Sequence, residues 1–146
     1  MSKTAIGVMS GTSMDGIDVA LLHSDGEALV APGPGFSSPY APGLAAELRA
    51  VVADPTRAGG DLGDLPQRVT DAHVEAVENF LLKTGVAKSS LDCVGFHGQT
   101  VLHRAEISVT RQVFDGARAA RAQNRRSTHW PGRCRRRGSP RRRRDR

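Results

Sequence analysis

The order of apolar runs along the chain predicts an α/β fold. Three observations carry that expectation. Residues 5–9 ("AIGVM") and 17–22 read as two strands joined by a polar turn. Residues 65–84 repeat their apolar positions at helical spacing. The run "LDCVGF" that follows has the length and apolar content of a buried strand. The resulting order is strand, strand, a third short strand, helix, helix, strand.

The elements follow in sequence. Ile17, Val19 and Leu21 alternate with Asp18, Ala20 and Leu22, the period of a half-buried strand. Residues 26–31 ("GEALVA") predict a third strand, set off by "SDG". "PGPGFSSPYAPG" after it is dense in Pro and Gly and predicts a loop. Residues 43–53 predict a short amphipathic helix with Leu44, Leu48 and Val51 or Val52 on one face. "DPTRAGGDLGD" predicts another loop.

The clearest helix is 65–84. Asp64 is a suitable N-cap, and Gln67 three residues on completes a capping-box pattern. Pro66 falls in the first turn, where its missing N–H costs nothing. Gly85 predicts the C-terminal stop. Val69, His73, Ala76 or Val77, and Phe80 with Leu81 share a face, so His73 is expected to be a packed histidine and not a ligand. "HGQT" (His97 to Thr100) is expected at the end of the next strand, 92–97, where ligand groups collect in open α/β sheets.

The 146 residues suffice for one domain of ordinary size. The opening "MSKTAIGV" lacks the features of a signal peptide, and the two cysteines, Cys93 and Cys134, read as free thiols. A cytoplasmic location is therefore expected. The net charge of +6 averages two unlike parts. Residues 1–116 hold 8 Lys or Arg against 14 Asp or Glu, whereas 117–146 hold 13 Arg and one Asp. From Asp115 onward the only bulky apolar side chain is Trp130. Such a segment cannot bury enough surface to offset its ordering entropy, so it is expected to be disordered. The chain divides at about residue 120, into 1–120 and an Arg-rich tail, 121–146. Arg without Lys, mixed with Gly, Pro, Ser and Cys, is what GC-rich coding DNA gives in a shifted frame. The tail is thus expected to be a frameshift product. The alternative is a nucleic-acid-binding protein acting through the tail, whose arginines would bind polyanions with strong salt dependence. A single Trp is poor equipment for base stacking, so such binding is expected to be incidental.

The stretch "GTSMDGID" (11–18) is too polar for a plain hairpin turn. Gly11 and Gly16 allow positive φ and close approach to a ligand. The amides of a tight turn can form an anion nest. Thr12 and Ser13 add hydroxyl donors, and Asp15 and Asp18 suit a hydrated Mg²⁺. Together they describe a phosphate-binding hairpin that matches neither the P-loop nor the dinucleotide fingerprint. These are also ordinary turn residues.

"GVMSGTSMDGIDVALL" closely resembles the N-terminus of the anhydro-N-acetylmuramic acid kinases, and "VGFHGQTVLHR" (94–104) resembles their next signature. "LPQRVTDAHVEAVENFLL" and "QVFDGARAA" (112–120) fit in order. The resemblance implies part of the N-terminal lobe of a ribonuclease-H-like fold of the actin, hexokinase and sugar-kinase superfamily. It implies that Gly11, Thr12, Ser13, Met14, Asp15, Gly16, Ile17 and Asp18 face the ATP phosphates, with Mg²⁺ held by Asp15 and Asp18 through water. It implies that His97, Gly98, Gln99 and Thr100 lie near the sugar. The implied reaction opens a 1,6-anhydro sugar with water and phosphorylates the freed 6-oxygen, in bacterial cell-wall recycling. No membrane partner is implied, and the resemblance leaves room for a homodimer. The family's "GGQGAPL"-like segment and the aspartate base in its "DTGPGN"-like stretch are not found here, so no catalytic base is assigned.

Overall fold

The computed structural model describes residues 1–123 and the backbone of 128–129. Its elements are β1 (Lys3–Ser10), β2 (Gly16–Ser24), β3 (Val30–Pro39), α1 (Pro42–Ala53), α2 (Pro55–Gly59), α3 (Leu65–Thr84), β4 (Cys93–Arg104), β5 (Val109–Val113), α4 (Gly116–Gln123) and β6 (Thr128–His129). They build one mixed sheet in the order β3-β2-β1-β4-β5, with β6 also paired to β4. β1 and β2 form an antiparallel hairpin from Lys3↔Ser24 to Ser10↔Ile17. β4 lies parallel to β1, and β5 returns antiparallel along β4.

One face of the sheet carries the core. Ile6, Val8, Ile17, Val19, Leu21, Val94 and Phe96 are buried with Leu48 and Val51 of α1 and Val69, Val77 and Phe80 of α3. The alternate residues Gly7, Met9, Asp18, Ala20 and His97 are exposed. Strand period 2 thus fixes which half of each strand meets the helices.

The two strands, helix α1 and helix α3 stand where the sequence places them. Val51, not Val52, faces the core from α1. Gly85 ends α3 in the left-handed conformation, with φ 71°, and its N–H reaches the Leu81 carbonyl. Asp64 occupies the N-cap position but makes no capping hydrogen bond. Its carboxylate accepts from Arg68 Nε at 3.1 Å instead, which takes it away from the free amides of the first turn.

Four expectations are corrected. The third strand is not 26–31 but Val30–Pro39: the Asp25 carboxylate holds 27–29 in a turn by accepting from their amides, and the strand runs through the stretch expected as loop. β3 lies at the sheet edge, where prolines are tolerated because one side needs no donor. Pro55–Gly59 is a short helix, not a loop, because Asp54 caps it by accepting from the Thr56 and Arg57 amides. β4 continues through "HGQT" to Arg104. The segment after Asp115 begins with helix α4, not disorder. Ala119 of α4 is fully buried, and Arg118 makes a two-armed ion pair with Asp71 of α3, at 2.5 and 2.8 Å. Small side chains let α4 lie close to α3, so little bulky apolar surface is needed. Residues Thr128–His129 pair with Gly95 and Phe96 of β4. The expected disorder and polyanion binding of the remaining tail fall on 124–127 and 130–146, outside the described residues.

His73 is packed, as its place on the apolar stripe requires. Its Nδ1 lies 2.8 Å from the Val69 carbonyl and so carries the proton. Nε2 has no partner. Tyr40 and Phe114 flank the ring, with centroids at 6.1 and 5.6 Å. Burial lowers its pKa from 6.5 to about 4. The unfolded imidazole therefore takes up its proton first as pH falls. The stability that this neutral ring contributes is complete above pH 6.5 and is lost between 6.5 and about 4. The loss is on the order of 3 kcal/mol. Urea midpoints at pH 7 and pH 4.5 should show it, and His73→Phe should remove most of that slope.

Candidate functional site

The β1–β2 connection is built from its flanks inward. Ser10 and Ile17 close the hairpin ladder. Gly11 to Met14 form a tight turn in which the Met14 amide donates to the Gly11 carbonyl at 3.2 Å. Positive φ falls on Met14, at 53°, and not on Gly11 or Gly16 as expected. Met14 tolerates the left-handed conformation because its side chain is buried in the core, 7% exposed. Its carbonyl accepts from Arg49 of α1 at 3.5 Å. Gly16 is required for another reason. A Cβ there would stand 2.8 Å from the Ser38 carbonyl oxygen, so only glycine lets the end of β3 close on the turn.

That closure makes the site. Gly11, Ser13, Asp15, Gly16 and Asp18 line a cavity of about 410 Å³ together with Ser37, Ser38 and Pro39 of β3. Ser13 Oγ donates to Asp15 Oδ1 at 2.7 Å, and Ser37 Oγ donates to Asp18 Oδ1 at 2.5 Å. The Ser13 hydroxyl, helped by backbone amides, holds the Asp15 carboxyl below its ordinary pKa. Both carboxylates stand on an exposed rim, each accepting from a serine hydroxyl.

The other members of the expected phosphate segment point elsewhere. Thr12 lines a second cavity of about 340 Å³, with Val52, Pro55 and Thr100 to Arg104. Ile17 is core. The expected sugar residues do not form one wall. His97 is exposed, its ring 3.2 Å from the Gly98 carbonyl and 3.0 Å from Gln112 Nε2. Gly98 and Gln99 are buried, and Thr100 reaches the second cavity. Ser37 and Ser38 are not marked by the sequence alone, because "FSSP" lies among prolines and glycines that predict a loop. The signal was there: pairing β3 with β2 sets Ser37 opposite Asp18.

The donor set suits a hydrated divalent cation. Two carboxylates flanked by serine hydroxyls leave most positions to water, the manner in which Mg²⁺ is held. Among the described residues no group of three His, Cys, Asp or Glu could form an all-protein cage. No helix among them is long and apolar enough to cross a membrane.

A mixed sheet covered by helices on one face, with a carboxylate-rich turn opening from its first hairpin, is part of the N-terminal lobe of a sugar-kinase-type fold. The family model for anhydro-N-acetylmuramic acid kinase matches residues 3–126. Curated relatives of that name agree. The Agrobacterium fabrum kinase is 46% identical over 121 residues, covering 79% of this chain and 32% of its own length. The Methylorubrum populi kinase is 44% identical over 135 residues, 82% of this chain and 36% of its own. The Rhodopseudomonas palustris kinase is 46% identical over 125 residues, 82% and 34% respectively. The chain belongs to the anhydro-N-acetylmuramic acid kinase family, a family of phosphotransferases, and spans about a third of the length of the curated relatives it matches.

Proposed function

We propose that this chain is the phosphate-binding part of an ATP-dependent kinase that opens 1,6-anhydro-N-acetylmuramic acid with water and phosphorylates the 6-oxygen. The product is N-acetylmuramic acid 6-phosphate, and the setting is cell-wall recycling in a bacterial cytoplasm. The observation that carries this reading is the convergence of Ser13, Asp15 and Asp18 with Ser37 and Ser38 on one cavity. With a cation on the carboxylates, the Ser13 and Ser37 hydroxyls would turn from Asp15 and Asp18 to donate to phosphate oxygens. Asp15 and Asp18 would hold Mg²⁺ through its waters, and the ion would offset charge on the transferring phosphoryl group. On this reading the acceptor sugar would sit on the side of the neighbouring cavity, whose wall Thr12 and Thr100 share. The dividing turn would then aim the terminal phosphate at the acceptor, and positioning supplies much of the rate in such transfers.

The test exploits the sign of the carboxylates. Asp15→Asn/Asp18→Asn should weaken Mg·tripolyphosphate binding about tenfold or more in calorimetry, because the ion loses its anchors. Without Mg²⁺ the same variant should bind tripolyphosphate more tightly than the parent, because two negative charges have gone from the rim. Equal affinities of parent and variant in both conditions would remove the phosphate from this cavity.

A further inference from the structure

Gln99 has a setting unlike that of a ligand-contacting residue. β1 and β4 pair in register up to Val8↔Phe96, then shift so that Ser10 faces Gln99. β4 thus holds one extra residue, a bulge, and Gly98 inside it has φ 73°. Strict alternation from Phe96 would send Gln99 to the open face. The bulge turns it to the helix-covered face, where it is fully buried. Every polar atom of its amide is engaged there. Oε1 lies 2.5 Å from Ser10 Oγ and 3.4 Å from the Tyr40 hydroxyl. Nε2 donates to the Gly11 and Thr100 carbonyls, both at 3.1 Å. Ser10 Oγ also stands 3.0 Å from the Gly16 carbonyl. One buried amide therefore ties the first residue of the turn to β4, and its oxygen shares the single Ser10 hydroxyl proton with the carbonyl of the last.

We infer that Gln99 is a positioning residue: it holds the 11–16 turn in shape from beneath and makes no contact with substrate. Three features of the turn depend on it. The Gly11 carbonyl accepts from both Gln99 and the Met14 amide, so it is fixed from two sides. The Asp15 carbonyl accepts from the Tyr40 amide, and the Tyr40 hydroxyl meets the same Gln99 oxygen. Nε2 links the Gly11 carbonyl to the Thr100 carbonyl, so Gly11 of the first cavity and Thr100 of the second share one anchor. Replacing the amide with an apolar chain takes one of its two donors from the Gly11 carbonyl and leaves the Ser10 hydroxyl only the Gly16 carbonyl, which loosens the turn.

Gln99→Met in the full 146-residue chain tests this, because it keeps the volume and removes the hydrogen bonds. By amide exchange, the Met14 and Tyr40 amides should exchange about tenfold faster than in the parent, while the amides of α3 stay unchanged. Mg·tripolyphosphate should bind about tenfold more weakly, with adenosine as the control for non-specific loss. Unchanged Met14 and Tyr40 exchange would overturn the inference. So would acceleration spread equally over α3, which marks a general packing role. If Gln99→Met does not fold, Ser10→Ala carries the test, with the same local pattern at about threefold. The phosphate arm alone rests on the reading of the turn given above. A parent chain that binds no tripolyphosphate refutes that reading, and the exchange pattern still decides the role of Gln99.

Discussion

Given Mg·ATP and 1,6-anhydro-N-acetylmuramic acid, the 146-residue chain by itself is expected to form no detectable product. The reaction needs a base to take a proton from the attacking water. The carboxylates at the cavity are ill suited to that task. Asp15 is held below its ordinary pKa by Ser13 and backbone amides, so it is a weakened proton acceptor. Asp18 has an oxygen committed to Ser37. Asp92 stands at the start of β4, the opposite end of the sheet from the turn, and accepts from Lys3 and the Thr4 amide. The cavity is also rimmed by exposed residues, among them Ser13, Asp15 and Asp18, so water is not excluded from it. Absence of a base costs roughly 10²–10⁴ in rate. Imperfect positioning of the two substrates costs several further orders on the scale of about 10⁵–10⁸ M effective molarity. A coupled assay on folded chain, checked by circular dichroism, measures this. Turnover within tenfold of a full-length relative would overturn the expectation and send the search for a base back to Asp15, Asp18 and Asp92.

What could be read from the sequence separates along physical lines. Periodic burial is a local property, and it placed β1, β2, α1 and α3. The C-terminal glycine stop of α3 was equally plain, since Gly85 adopts the left-handed conformation that its residue type favours. The polar turn was legible because five of its eight residues line one cavity. Most of the missed features are consequences of pairing between distant segments; α2 is the exception, held by the local Asp54 cap. Prolines in β3 are compatible with a strand only at an edge, and edge position is set by sheet order. Helix α4 is too poor in bulky residues to announce itself. It is held by Asp115, which caps the Arg118 amide, and by the Arg118–Asp71 pair, 47 residues apart. The family resemblance of "HGQT" implies a place near the sugar for Gln99, and its burial among β-strand and turn groups is not visible in the sequence. A one-residue bulge, invisible in a single strand, reversed its face.

Gly98→Ala is expected to destabilise the fold by about 2–4 kcal/mol. Two costs combine. An L side chain at φ 73° is in the left-handed region, which costs about 1–2 kcal/mol. A Cβ would also stand 2.9 Å from Phe114 Cβ and 3.1 Å from the Val113 carbonyl. Phe114 cannot easily yield. It stacks on Phe96 at 5.0 Å between ring centroids and meets the buried His73 ring edge-on at 5.6 Å. Overpacking of this kind costs about 1–3 kcal/mol. Urea unfolding at pH 7 measures the loss, and Gly7→Ala on the open face is the control. Gly7 has no positive φ and a Cβ there meets nothing within 4 Å, so that change should stay within about 0.5 kcal/mol. The larger consequence is directional. If β4 relieves the strain by straightening, regular alternation returns and Gln99 swings toward the open face. The Gly11 carbonyl then loses its anchor, and phosphate affinity should fall along with stability. A Gly98→Ala chain whose unfolding free energy drops by less than about 1 kcal/mol would show that the bulge does not need glycine.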